Sequence, residues 1–306
     1  MRLALIFPGQ RAQEPGMATG IFDRGSPAHA LALEAAEITG LDLVRLACEA
    51  PADEVRATEV AQPLLLMHSV ALLQNLPIDV AAAVCGVAGH SLGEYSALVA
   101  AGSLDWRDAL RLVRERGLAM AQASSPAQGM SAVLALSEAQ VQAVIDANPG
   151  EGIAVVANLN APGQVVISGD RARLDQLAEP LKAAGARRAM ALAVAGAFHS
   201  PLMASAAARL GAAIDVAPFV AGRSQAFNVD GQVRHAPGDV AAALRAQLTS
   251  PVRWIDCVGS LVALGADRFL ELGPGSTLAA LGRRIAPDLA WTSASTPGAA
   301  AEAVAA

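Results

Sequence analysis

Apolar and polar positions along the chain fall into a small number of recurring rhythms. Leu3-Ala4-Leu5-Ile6-Phe7 is an unbroken apolar run, the pattern of a strand buried on both faces, and it stops at the loop Pro8-Gly9-Gln10-Arg11-Ala12-Gln13. Residues Pro27 to Leu46 and Gln62 to Leu76 carry apolar side chains at spacings of three and four. That spacing predicts two helices, with Gln62-Pro63 as the start of the second. A further apolar segment, Val80 to Ala88, runs into Gly89-His90-Ser91-Leu92-Gly93, and Glu94 to Ala100 has helical character. Trp106 to Ala123 predicts a long helix with Asp105 as its N-cap.

From Gly129 the rhythm changes. Met130 to Leu136 reads as a strand, Ser137 to Asn148 as a helix, and Ile153 to Leu159 and Gln164 to Ser168 as a strand pair joined by Asn160-Ala161-Pro162-Gly163. Arg171 to Ala184 follows as a helix and Arg187 to Leu192 as a strand. The order βαββαβ is the ferredoxin-like arrangement. It predicts a small domain at 128–193 inserted into a larger α/β unit made of 1–127 and 194–306. Gln225 to Val229 and Arg268 to Leu272 predict more buried strands, and the second ends in a plain turn at Gly273-Pro274-Gly275-Ser276. Beyond Pro297 the alanine-rich end predicts a frayed helix or a tail.

Composition narrows the function classes. At 306 residues and 54% hydrophobic, the chain can bury a large core. The net charge of −6 and the lack of a long basic run argue against nucleic acid as a partner, while an acidic carrier protein stays open. Lys182 is the only lysine, so scattered arginines carry no functional reading by default. Cys48, Cys85 and Cys257 are odd in number and far apart, which fits reduced, buried thiols in a cytoplasmic protein. Leu3 to Phe7 is too short for a signal peptide, and later apolar segments are interrupted by Gln74, Asn75, Pro77 and Asp79. No membrane span and no metal site is expected, and the protein is expected to be a cytoplasmic monomer.

The candidate chemistry centres on Gly89-His90-Ser91-Leu92-Gly93. This is the Gly-x-Ser-x-Gly spacing of a nucleophile elbow, in which a serine sits on a tight strand-to-helix turn at a helix N-terminus. The bland alternative makes Ser91 an N-cap. His199, in Ala195-Gly196-Ala197-Phe198-His199-Ser200-Pro201 ahead of a Pro-started helix, is the best general-base candidate. His29 and His68 read as packing or surface histidines, and His235 as exposed in a polar loop. Arg111, Arg114 and Arg116 share one helix, and nothing local selects among them.

Several stretches together resemble the malonyl-CoA:acyl carrier protein transacylases. They are Phe7-Pro8-Gly9-Gln10, Gln62-Pro63, Gly89 to Leu98, Arg114-Glu115-Arg116-Gly117, Asn160 to Gln164, Phe198-His199-Ser200, Asn228-Val229-Asp230, Gln247 with Pro251-Val252-Arg253-Trp254, and Gly273-Pro274-Gly275. They stand in the family's order over nearly the whole chain. The resemblance implies an α/β fold with a hydrolase-like parallel-sheet core and the ferredoxin-like insertion. It implies Ser91 as nucleophile, His199 as its base, and the backbone N–H groups of Gln10 and Leu92 as the oxyanion hole. Arg116 would bind the malonyl carboxylate, and the Gln247 carbonyl would orient the imidazole. Malonyl-CoA would be the donor, an acyl carrier protein bearing phosphopantetheine the acceptor, and no cofactor would be permanently bound.

Ala197-Phe198-His199 is similar to the malonyl-selective form of its loop. Where the family usually has glycine, Arg11 follows Gln10. A backbone that needs glycine's freedom would be strained there, or Arg11 would face CoA phosphates or a carrier protein. The malonyl-transferring subunit of a malonate decarboxylase, a serine ester or thioester hydrolase, and a non-catalytic carrier-binding module remain alternatives.

Overall fold

A computed structural model describes residues 2–305 of the chain, so Ala306, the end of the alanine-rich segment, lies outside it. The strands are β1 (Leu3–Phe7), β2 (Val84–Gly89), β3 (Gln128–Leu134), β4 (Ala154–Ala161), β5 (Gln164–Asp170), β6 (Arg188–Ala191), β7 (Gln225–Ala226), β8 (Val233–Arg234), β9 (Arg268–Leu272) and β10 (Ala290–Ala294). Six form one sheet in the order β10-β9-β1-β2-β7-β8, parallel except for the β7–β8 pair. The other four form an antiparallel sheet in the order β4-β5-β3-β6.

The central strand shows why its sequence is apolar throughout. Leu3, Leu5 and Phe7 of β1 enter a core on one face of the sheet, and Ala4 and Ile6 enter a second core on the other. Alternate side chains point to opposite faces, so a strand covered by helices on both sides needs no polar position. The first face packs helices Thr58–Gln74, Gly93–Ala101 and Trp106–Ala123; the second packs Trp254–Ala263 and Thr277–Ile285. A third core lies between the four-stranded sheet and helices Glu138–Ala147 and Arg171–Ala183. The element order between Gln128 and Ala191 is βαββαβ, with Ser137 closing a capping box at the start of its first helix.

Four expectations change. The single helix over Pro27 to Leu46 is two, Pro27–Thr39 and Leu43–Cys48, because Gly40 takes a left-handed φ of 69° and caps the first. The helix predicted to start at Gln62-Pro63 begins at Thr58 and carries Pro63 inside it. Proline cannot donate to the carbonyl of Glu59, and Arg114 Nη1 supplies that bond at 2.8 Å. Val80 to Ala88 is not one apolar element: helix Ile78–Ala82 ends before β2 begins. β7 is only two residues long where five were expected, and β10, the 3-10 turn Pro201–Met203 and helices Ala52–Arg56, Ala204–Val216, Pro237–Gln247 and Pro297–Ala305 make up the rest of the fold. All three cysteines are free; Cys257 is buried, and Cys48 and Cys85 are partly so. Among the described residues, no helix is long and apolar enough to cross a membrane.

Candidate active site

The carboxyl ends of the adjacent parallel strands β1 and β2 come together, with Phe7 in register with Gly89. This is where open parallel sheets bind ligands. β2 turns into helix Gly93–Ala101 through a bend so tight that a Cβ on Gly89 would lie 1.9 Å from the backbone of Gly93, and one on Gly93 would lie 2.1 Å from Phe7 O. Both glycines are sterically required. Ser91, at the apex, has φ 52°, and His199 has φ 58°. Two non-glycine residues in the left-handed region at one site mark backbone held by its surroundings for a purpose.

Ser91 caps nothing with its side chain. Its Oγ lies 2.8 Å from His199 Nε2 and accepts from Arg116 Nη2 at 2.9 Å. His199 Nδ1 faces two backbone carbonyls, Gln247 O and Ser250 O, each at 3.1 Å. Carbonyl oxygens only accept, so Nδ1 carries the proton and Nε2 presents its lone pair to the serine hydroxyl. Burial, and next the Arg116 cation, push the imidazole down to about 3, so it is neutral at ordinary pH. The loop carrying Ser250 is tied to the four-stranded sheet, since Val252 exchanges 2.8 Å backbone bonds with Ala157 and Leu159 of β4.

The helix arginines separate by environment. Arg111 pairs with Asp108 on the surface, Arg114 completes the Pro63 turn, and Arg116 is 1% exposed. Arg116 donates through Nη1 to Gln62 Oε1 at 2.8 Å and through Nε and Nη2 to Gln247 Oε1 at 3.3 and 3.0 Å. Neither Gln10 N nor Leu92 N donates to another described residue, which leaves both amides open beside Ser91. A hydroxyl held between a neutral imidazole and a guanidinium, at a helix N-terminus with unpaired amides, can attack a carbonyl and receive the resulting oxyanion.

The family described as the acyl transferase domain matches residues 4–295. The chain belongs to the acyl transferase family. Among similar proteins, the malonyl CoA-acyl carrier protein transacylase of Bacillus subtilis strain 168 is 38% identical over 299 residues, which is 97% of this chain and 94% of that protein. Among solved structures, the acyl-carrier-protein S-malonyltransferase of Burkholderia pseudomallei 1710b superposes with TM-score 0.92 at 36% identity, covering 100% of both chains. A malonyl-transacylase solved with a type II PKS acyl-carrier protein, PlMCAT:AntF, superposes with TM-score 0.91 at 33% identity over 98% of each chain.

Within this acyl transferase, three buried polar residues near Ser91 went unassigned at the level of sequence: Gln62, Glu94 and Asn228. Asn228 Oδ1 accepts from Ser91 N at 2.7 Å and its Nδ2 donates to Gly89 O at 2.8 Å, which staples the elbow on both sides of its apex. Glu94 accepts from Asn228 N and Gln247 Nε2. All three lie within the stretches that carry the family resemblance, so the signal was a block of polar identities whose roles only the three-dimensional arrangement reveals. Of the other histidines, His68 is buried with Nε2 3.1 Å from Met17 O, His29 packs against Phe22 O, and His235 is exposed.

A cavity of about 420 Å³ opens onto Ser91 between the two sheets, lined by Gln10, Arg11, His90, Met130, Asn160 and Phe198 among others. Arg11 stands exposed at its edge with φ 89°, a conformation glycine adopts freely. A left-handed non-glycine residue costs about 1–2 kcal/mol, and glycine returns part of that gain as unfolded-chain entropy. Arg11→Gly is therefore expected to stabilise the fold by about 0.5–1 kcal/mol, read as a raised urea midpoint. A lowered midpoint would show that the arginine's contacts outweigh its strain.

Proposed function

We propose that this acyl transferase moves a malonyl group from malonyl-CoA to the phosphopantetheine thiol of an acyl carrier protein, by way of a malonyl ester on Ser91. The observation that carries the reading is a buried guanidinium 2.9 Å from the candidate nucleophile. A cation sealed at the acyl end of the site calls for an anionic acyl group, and its planar fork matches a carboxylate. The names of the similar proteins, and the carrier protein solved with one of them, point the same way.

In this reading His199 Nε2 takes the proton of Ser91 as Oγ attacks the thioester carbonyl. The oxyanion is received by Gln10 N and Leu92 N, each such donor being worth about 2.7–4 kcal/mol of barrier. Collapse breaks the C–S bond, and the imidazolium returns its proton to the departing CoA sulfur. The carrier's thiol then attacks the ester with the same histidine as base, and Ser91 leaves with the proton. Arg116 holds the malonyl carboxylate in both halves, and Phe198 narrows the room beside it. No resident cofactor enters any step. The same proposal reads 128–193 as a ferredoxin-like domain inserted between 1–127 and 194–306, a reading supported by the strand order β4-β5-β3-β6.

A pH dependence follows from His199. A base works only while neutral, and its lowered pKa keeps it neutral below the usual histidine value, so kcat/KM should fall only well below pH 6.5. Once the malonyl carboxylate neutralises Arg116, one of the causes of that lowering is offset, so the acid limb of kcat should lie at higher pH than that of kcat/KM. Coincident limbs near 6.5 would contradict this.

The reading itself is tested by offering malonyl-, acetyl- and methylmalonyl-CoA together with a phosphopantetheine-bearing carrier protein and weighing the products. Malonyl-carrier should dominate. Free malonate with an unmodified carrier would mean a hydrolase instead.

A further inference from the structure

Gln247 stands between two buried ionisable groups. Its Nε2 donates to Glu94 Oε2 and, at 2.9 Å, to Ser91 O, while its Oε1 takes both Nε and Nη2 of Arg116. The ends of an amide are told apart by their partners. A carboxylate oxygen can only accept, so Glu94 draws the NH₂ group to itself and turns the carbonyl oxygen toward the guanidinium. Glu94 has its other oxygen on Asn228 N and is fully buried; burial pushes its carboxyl up to about 8 against the Asn228 and Gln247 bonds and the Arg116 cation, so the double-acceptor carboxylate is the form above that pH, where the variants below are compared. A carboxyl kept in so costly a place, off the path of the Ser91–His199 proton transfer, needs another task.

Arg116 shows what that task is. A guanidinium presents a side-on edge, Nε with Nη2, and an end-on edge, Nη1 with Nη2. Gln247 occupies the side-on edge. The end-on edge is turned to Gln62 and Ser91 Oγ, toward the place where an acyl group on Ser91 would project.

We infer that Glu94 is a positioning residue for the acyl carboxylate: acting through the Gln247 amide, it fixes the side-on edge of Arg116 and so reserves the end-on edge for the substrate. This rests on the malonyl reading above. Glu94→Gln is the sharpest test, because a carboxamide has one accepting oxygen for two N–H donors. The Asn228 N–H belongs to the backbone and cannot turn, whereas the Gln247 amide can rotate, and once rotated it sets NH₂ against the guanidinium.

The expected result is a ratio of malonyl to acetyl kcat/KM that falls about tenfold or more, mainly through a raised KM for malonyl-CoA. Gln247→Met should lower the same ratio, and E94Q should add little to it in the Q247M background. E94D, which keeps the charge but draws back from Gln247, should also lower it and serves where E94Q does not fold by circular dichroism. An unchanged ratio, equal losses on both acyl-CoAs, or multiplying effects in the double variant would overturn the inference. A wild-type enzyme with no preference for malonyl would instead sink the functional reading, and that is seen before any variant is made.

Discussion

His199→Ala is expected to slow acylation of Ser91 by malonyl-CoA on the order of 10⁴-fold, the upper end of what a positioned base supplies. The upper end is expected because the imidazole lone pair is the acceptor aimed at the serine hydroxyl, 2.8 Å away. Its tautomer is already fixed by two carbonyls, so no reorganisation precedes the transfer. The remaining rate would come from the unpaired amides and from binding. Stopped-flow release of CoA measures the acylation step directly. A loss under about tenfold would remove His199 from the role of base.

Arg116→Ala is expected to cost malonyl transfer about 3–4 kcal/mol, or 10²–10³-fold in kcat/KM, the range for removing one partner of a buried charge pair. Acetyl transfer should suffer much less, because an acetyl group has no carboxylate to lose. The comparison matters because Arg116 also satisfies Gln62 and Gln247, and stranding their oxygens costs about 1–3 kcal/mol each of stability. A destabilised fold would lower both activities together. Equal losses on the two substrates would therefore make Arg116 a structural residue and remove the basis for malonyl selectivity.

What could be read from the sequence was what local pattern dictates. Leu3–Phe7 and Trp106–Ala123 were legible to the residue, one as an unbroken apolar run and the other through its Asp105 cap. Periodicity does not place the helix around Pro63, because its first turn depends on Arg114, 55 positions from Glu59, taking the Glu59 carbonyl that proline leaves unpaired. Gly40 ended a helix by adopting a left-handed φ, which a periodicity count does not register. At the site, Ser91 and His199 were visible from spacing and loop context. Arg116 was singled out from Arg111 and Arg114 by family resemblance alone, and the structure supplies the physical difference in burial and partners. The side-chain role of Gln247 was missed, since only its carbonyl had been anticipated. Arg11 was recognised as a departure from glycine, and its φ of 89° gives that departure a physical cost.

Intact-protein mass spectrometry tests the malonyl ester on Ser91 most directly. Wild-type protein incubated with malonyl-CoA and no carrier should gain the mass of one malonyl group, mapped to the peptide that contains Ser91. Adding the carrier's thiol should discharge it, and Ser91→Ala should gain nothing. A Ser91→Ala protein that still takes the label, or a wild type that transfers malonyl without ever carrying it, would contradict the account.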